Sequence, residues 1–263
     1  MLALPLAAFL LAAVLWPLGH LGAGALAAGW DAGLGKVLAA GRYRTALINS
    51  VLLSAAAAAA ALLLALWPAW VLARERFAGR ELLRAAISLP LTFSGVLVGF
   101  LMLTLLGRVG AVPRLMGLLT GEQLLSGAAY TVAGLFLGYL YFEVPRAVMT
   151  LEPAFRRFPE ELDAAARTLG AGRLARLLRV VLPVVAPSLR STLAVTFSAS
   201  MGSFGVALVL SRRFTVAPLE VYTELTGFLN RTAAGALCLV LAAITLAVDR
   251  LLGSPEGEEG PRR

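Results

Sequence analysis

From Ala46 to Leu72 the chain runs twenty-seven residues without a charged side chain. A helix rises about 1.5 Å per residue, so this stretch reaches about 40 Å, more than the ~30 Å hydrocarbon core of a bilayer. In lipid the backbone has to satisfy its own hydrogen bonds, which makes a helix the expected form. The pattern recurs at Leu2–Leu18, Ala85–Leu106, Gly127–Met149, Ser188–Leu210 and Thr232–Leu252, with shorter polar segments between. Only 14% of the 263 residues are charged, against about 25% in ordinary soluble domains. The expected fold is an all-α membrane protein: six transmembrane helices in one domain, residues 1–252, then a disordered Gly/Pro/Glu-rich tail, residues 253–263. Leu2–Leu18 lacks a basic leader and is flanked by prolines, so it reads as an uncleaved span rather than a signal peptide.

The connections are informative in turn. Residues 19–44 read as a loop with a short surface helix, 73–84 as a charged turn, and 107–125 as a loop or re-entrant amphipathic piece. The alanine run Ala55–Ala61 allows close approach of a neighbouring helix. Of the 23 basic side chains, fifteen fall in the segments holding Arg74–Arg84, Arg146–Arg190 and Arg250–Arg263. The positive-inside rule then places those segments, and both termini, in the cytoplasm.

Several chemistries are excluded. Cys238 is the only cysteine and His20 the only histidine, so neither a disulfide framework nor a Cys/His metal cluster is available. No phosphate-binding Gly-x-x-x-x-Gly-Lys-Ser/Thr loop, nucleophile elbow or zinc-protease motif occurs, which leaves an enzyme without visible machinery. The net charge of +8 belongs to residues that set membrane topology, and no nucleic-acid partner is expected.

One stretch is too polar for its surroundings: Pro159–Pro187, between the fourth and fifth spans. Pro159 suits a first helical position, and Glu160, Glu161 and Asp163 put negative charge at a helix N-terminus, where the dipole favours it. Ala164, Ala165 and Ala166 form a low-relief surface. Gly170 and Gly172 are positioned to end this helix in a left-handed cap. A second helix, Arg173–Val181, is expected to place Leu174, Leu177, Leu178 and Val181 on one face and Arg173, Arg176 and Arg179 on another. Leu182-Pro183 is expected to stop it.

At these residues the chain resembles the permease subunits of bacterial binding-protein-dependent ABC importers, of the type I kind. Their cytoplasmic loop carries Glu-Ala-Ala, three residues, Gly, nine residues, an aliphatic residue, any residue and Leu-Pro. Here Ala165-Ala166 precedes Arg167-Thr168-Leu169 and Gly170, and Ala171–Arg179 leads to Val180-Val181-Leu182-Pro183. The family's glutamate falls on Ala164, with Asp163 one residue earlier. Asn49-Ser50, Tyr141–Pro145 and Pro218–Tyr222 extend the likeness. So does Gly202-Ser203-Phe204-Gly205, which is similar to a Gly-Glu-Phe-Gly pattern with Ser203 in the glutamate's place.

The resemblance implies a non-catalytic transporter subunit of the bacterial inner membrane. It binds no cofactor itself; ATP and magnesium are used by partner ATPases. Implied partners are two ATPase subunits, a second permease copy or homologue, an extracellular solute-binding protein and membrane lipid. ATPase coupling would fall to Glu161, Asp163, Ala164, Ala165, Ala166, Arg167, Gly170, Leu182 and Pro183. Asn49, Ser94, Ser200, Ser203, Phe204 and Gly205 are the candidate pathway residues. Glu143 and Arg146, three apart, are positioned to pair on one helix face. The substrate class stays open among polyamine, iron(III), thiamine and small oxyanions, with polyamine and iron(III) or thiamine types ranked first on general likeness. The rival reading is a secondary transporter or channel without an ATPase; it requires mid-span ionisable residues for ion coupling or repeated broken helices.

Overall fold

The computed structural model describes residues 33–253 apart from Gly121, Gln123, Leu124 and Arg213, together with scattered positions before residue 33. The expected first span, Leu2–Leu18, lies largely outside the described residues, as does the tail beyond Gly253. Among the described residues every regular element is helical. In chain order these are α1 (Leu34–Ala39), α2 (Gly41–Arg74), α3 (Arg80–Ser88), α4 (Gly95–Leu106), α5 (Ala111–Thr120) and α6 (Val132–Arg157). Then follow α7 (Glu160–Thr168), α8 (Arg173–Arg176), α9 (Leu182–Met201), α10 (Gly205–Leu210), α11 (Ala217–Thr226) and α12 (Arg231–Leu252). Among the described residues, five stretches are long and apolar enough to cross a membrane: Gly41–Arg74, Gly95–Thr120, Val132–Arg157, Leu177–Met201 and Arg231–Leu252.

The long helix α2 is the spine, packed against α6 and α9. Its alanines are sorted by face. Ala57, Ala58, Ala61, Ala65 and Ala69 are fully buried, whereas Ala55, Ala56 and Ala59 are exposed. The buried set recurs at helical spacing and lets α6 come close: Ala61, Ala65, Ala69 and Leu72 pack with Ala147, Val148, Leu151 and Phe155. In lipid there is little hydrophobic drive between helices, so close backbone approach and dispersion contacts do this work. Near one end of α2, Trp70 meets Phe155 edge-on at 5.4 Å between ring centroids.

Three expected boundaries are corrected. The third span does not begin at Ala85: α3 ends at Ser88, Leu89–Thr92 is a 3₁₀ turn containing Pro90, and α4 restarts at Gly95. Proline lacks the N–H that a continuous helix needs, and Ser94 caps the new start, its hydroxyl accepting from the Leu97 N–H at 3.3 Å. The stretch 73–84, expected as a charged turn, therefore already contains the start of α3 at Arg80. At twelve residues, α4 spans only about 18 Å, short of a bilayer core on its own. The fifth span is likewise not one helix to Leu210, because it breaks at Gly202–Phe204 before α10. Finally, Leu182-Pro183 does not stop the helix that precedes it. Leu177–Val181 widens into a π-helical turn, with the Leu182 N–H bonded to the Leu177 carbonyl, and runs straight into α9. The wider turn relieves the clash that Pro183 would make with the carbonyl four residues back.

Candidate functional site

Two regions hold most of the residues singled out from the sequence. The first is the hairpin of α7 and α8. Glu160, Glu161 and Asp163 open α7, and Gly170 closes it at φ +77°. The Ala171 N–H bonds to the Ala166 carbonyl and the Gly170 N–H to the Arg167 carbonyl, both at 3.0 Å, which is the Schellman arrangement. Asp163 fastens the two arms. It accepts from Arg176 on α8 at 2.8 Å and from Arg167 on its own helix at 2.6 Å. Ala166 is buried, while Glu161, Ala164, Ala165, Arg167 and Gly170 face outward. Leu169, at the tip, is 87% exposed.

The hairpin is anchored to the helix bundle from its other side. Arg74, at the end of α2, pairs with Glu160 at 3.0 Å, donates to the Phe158 carbonyl and lies over the Trp70 and Phe158 rings. Nearby, buried Glu152 of α6 takes arginines from two elements, Arg84 of α3 and Arg156 of α6, with Arg80 at 3.7 Å. Between hairpin and bundle lies a cavity of about 490 Å³, lined in part by Trp70, Arg74, Phe158, Glu160 and Ala164. A glutamate at 164 would project toward this space, which alanine leaves open.

The second region is a recess of about 390 Å³ at the two helix breaks, lined by Leu91, Phe93 and Gly95 on one side, Phe142, Glu143 and Arg146 on α6, and Ala199 with Gly202–Gly205 on the other. Its walls are held tightly. A Cβ on Gly205 would sit 2.7 Å from the Val96 nitrogen, and one on Gly99 2.6 Å from Val209 Cβ. Only glycine lets α4 and α10 approach so closely. The Tyr139 hydroxyl donates to the Ser203 carbonyl at 3.1 Å, and Phe204 packs on Tyr222 at 5.1 Å. Glu143 is 3% exposed and accepts from Arg146 at 3.1 Å. Ser200 is buried.

Residues 65–253 match the family described as binding-protein-dependent transport system inner membrane component. The chain belongs to that family. It is a type I ABC importer permease, a multi-pass membrane component of a transporter and not an enzyme. The permease is 31% identical to the probable sulfate transport system permease protein of Chlorella vulgaris, over 67% of each chain. It is 30% identical to the sulfate transport system permease protein CysT of Salmonella typhimurium, over 68% of this chain and 64% of that one. It is also 30% identical to a probable molybdenum ABC transporter permease protein of Haloferax volcanii, over 79% and 73% of the two chains. In fold it superposes on a chain of a bacterial alginate ABC transporter, solved with alginate pentasaccharide-bound periplasmic protein, with a TM-score of 0.81 at 17% identity, covering 95% and 91% of the chains. The rival reading of a transporter working outside such a system falls with the family match.

The structure of the permease sorts the sequence-derived residues. The recess brings Ser203, Phe204 and Gly205 together. Ser94 caps α4 next to it, on an exposed turn. Asn49 is elsewhere: its amide donates to the Thr215 carbonyl at 2.9 Å, while the Ser50 hydroxyl accepts from the Ala217 N–H at 2.7 Å. That pair pins the start of α11 to α2. In the hairpin, Asp163 faces inward as the brace, and Pro183 lies beyond the π turn on α9. Leu169 was missed, although an apolar residue directly before a capping glycine is a visible signal in the sequence. Arg42 was missed too; it holds buried Glu220 and Glu224 at the opposite end of α2 from the hairpin.

Proposed function

We propose that this permease imports a small tetrahedral oxyanion of the sulfate or molybdate kind, delivered by an extracellular binding protein. Two ATPase subunits act on the exposed face of the α7–α8 hairpin, and a second permease, identical or homologous, completes the pathway. Both termini are cytoplasmic, so the arginine-rich end carrying Arg74, Arg84 and Arg156 faces the ATPases. The substrate reading is supported by the sulfate and molybdenum permeases among its relatives and departs from the polyamine and iron(III) or thiamine ranking of the sequence alone.

The observation that carries the coupling reading is that the hairpin is exposed at its tip yet braced at its base. Glu161, Ala165 and Leu169 are free to enter a groove on a partner, while Asp163–Arg176 and Arg74–Glu160 tie the unit to α8 and α2. A rigid protrusion turns closure of a partner into motion of the helices behind it. A single-cysteine variant, Ala165→Cys with Cys238→Ser, assembled with the cognate ATPase, tests this. A disulfide to an engineered cysteine in the ATPase groove that forms and breaks with nucleotide state is expected. Labelling of Ala165→Cys by a soluble maleimide at equal rates with and without the ATPase refutes the docking face.

A further inference from the structure

Among the described residues the recess at the helix breaks holds one ion pair, and its two members are placed differently. Glu143 lies beneath the surface at 3% exposure. The Arg146 side chain is 37% exposed and lines the cavity. They are the twelfth and fifteenth of the 26 residues of α6, in the last turns of its apolar run on the side the proposed topology places toward the cytoplasm, where an ionisable side chain within a span still costs free energy and is kept for use.

The pairing leaves the guanidinium mostly unspent. Arg146 donates to Glu143 through Nε. The other paired arginines among the described residues, Arg42, Arg74, Arg80, Arg84, Arg156, Arg167 and Arg176, all spend a terminal Nη on a carboxylate. At Arg146 no hydrogen-bond acceptor for either Nη is found among the described residues, and none of them occupies its fork of N–H donors on the side away from Glu143. The rest of the lining is aromatic, aliphatic or small: Leu91, Phe93, Phe142, Ala199 and Phe204, with the Ser203 hydroxyl. Among the described residues no second charge of either sign lines it.

We propose that Arg146 is the residue that reads the negative charge of the passing oxyanion, and that Glu143 is the positioning residue that aims it; this rests on the oxyanion reading above. The planar fork of arginine matches two oxygens of a tetrahedral oxyanion, which a point-like ammonium does not. The compensating carboxylate keeps the site nearly neutral when empty. The anion is therefore held by hydrogen bonds without the deep well that an isolated cation would create, and a transport site has to release what it binds. A cation entering the same recess meets the guanidinium first and the carboxylate only behind it.

The test uses the whole complex in proteoliposomes, with ATPase subunits and binding protein, reading radiolabelled sulfate or molybdate import and ATP hydrolysis together. In Arg146→Gln, ATP hydrolysis stimulated by the loaded binding protein persists, and import per ATP falls on the order of tenfold or more, as expected for losing a charge-assisted hydrogen bond in a low-dielectric site. Arg146→Lys keeps the charge and recovers part of the import. Import per ATP unchanged in Arg146→Gln overturns the assignment of Arg146 alone. Loss of stimulated hydrolysis in both Arg146 variants shows a structural strut instead and overturns it equally. A wild-type complex that imports neither anion, yet responds to a binding protein loaded with a different solute, overturns the substrate reading and this inference with it.

Discussion

Gly170 offers the sharpest perturbation of the hairpin proposed to couple to the ATPases, because its surroundings isolate one physical effect. Its φ of +77° places it in the left-handed region, and a Cβ built there meets nothing within 4 Å. A substitution therefore costs backbone strain, with no clash at Cβ. For an L-residue that strain is roughly 1–2 kcal/mol, and a β-branched side chain is at or above the upper end. At room temperature this shifts a local equilibrium by roughly 5- to 30-fold. The structure absorbing the strain is small: two hydrogen bonds at 3.0 Å, Ala171 to Ala166 and Gly170 to Arg167, and the Asp163–Arg176 brace. Gly170→Val is expected to displace α8 relative to α7 while leaving the buried α2–α6–α9 packing untouched. Gly170→Asn serves as the control, since asparagine tolerates the left-handed region. In reconstituted complexes the valine variant should insert, assemble and hydrolyse ATP, with solute import per ATP several-fold below wild type; the asparagine variant should stay near wild type. Equal coupling in the two variants would refute the argument that the glycine cap sets the geometry through which force passes.

Three further outcomes are expected. Gly138→Ala puts a methyl 2.6 Å from Val206 Cγ1 and should cost about 1–3 kcal/mol of stability by overpacking; the double variant Gly138→Ala/Val206→Ala removes the offending carbon and should recover most of the loss in a thermal melt in detergent. Glu152→Gln takes the buried charge away from Arg84 and Arg156, whose side chains remain 27% and 54% exposed; a loss of about 2 kcal/mol, or roughly 4–8 °C in melting temperature, is expected, against no change if the cluster is ornamental. A reporter fused after Arg84 should read cytoplasmic, and a periplasmic signal there would invert the proposed topology.

What the sequence made legible follows from what lipid and local geometry impose. Apolar runs identified α2, α6 and α12 because a spanning helix is the simplest way to satisfy the backbone in hydrocarbon. The Gly170 cap was legible because a left-handed residue after an alanine-rich helix demands glycine or asparagine. The helix breaks were not. Ala85–Leu106 and Ser188–Leu210 are apolar throughout their breaks, and hydropathy does not distinguish a continuous helix from two pieces joined by a turn buried in protein. The clue was Gly95, Gly99 and Gly205, whose meaning depends on a partner far away in sequence. The Leu182-Pro183 stop failed for a related reason: a proline ends an isolated helix, but a π turn held in place by the packing of Val181 and Val185 carries the chain past it.

That last correction bears on how the two sites communicate. A flexible linker between the hairpin and the fifth span would let the hairpin move without consequence. The chain instead runs without a coil from Arg173 through the π turn Leu177–Val181 and α9 to Met201, and the next residues, Gly202–Gly205, form one wall of the recess. Arg176, at the hairpin end of this rod, is held by Asp163; Ser203, just past its far end, is held by Tyr139 of α6. The Arg146 side of the recess sits on α6 itself. On the coupling proposed above, displacing the hairpin would shift α9 against α6, with the 202–204 break as the place where the motion is taken up. A reducible bifunctional thiol cross-linker joining Ala199→Cys to Phe142→Cys across the recess should then abolish import while leaving crosslinking from Ala165→Cys to the ATPase intact, and reduction should restore import. Import that persists with the bridge formed would show that the recess walls do not move against each other during transport.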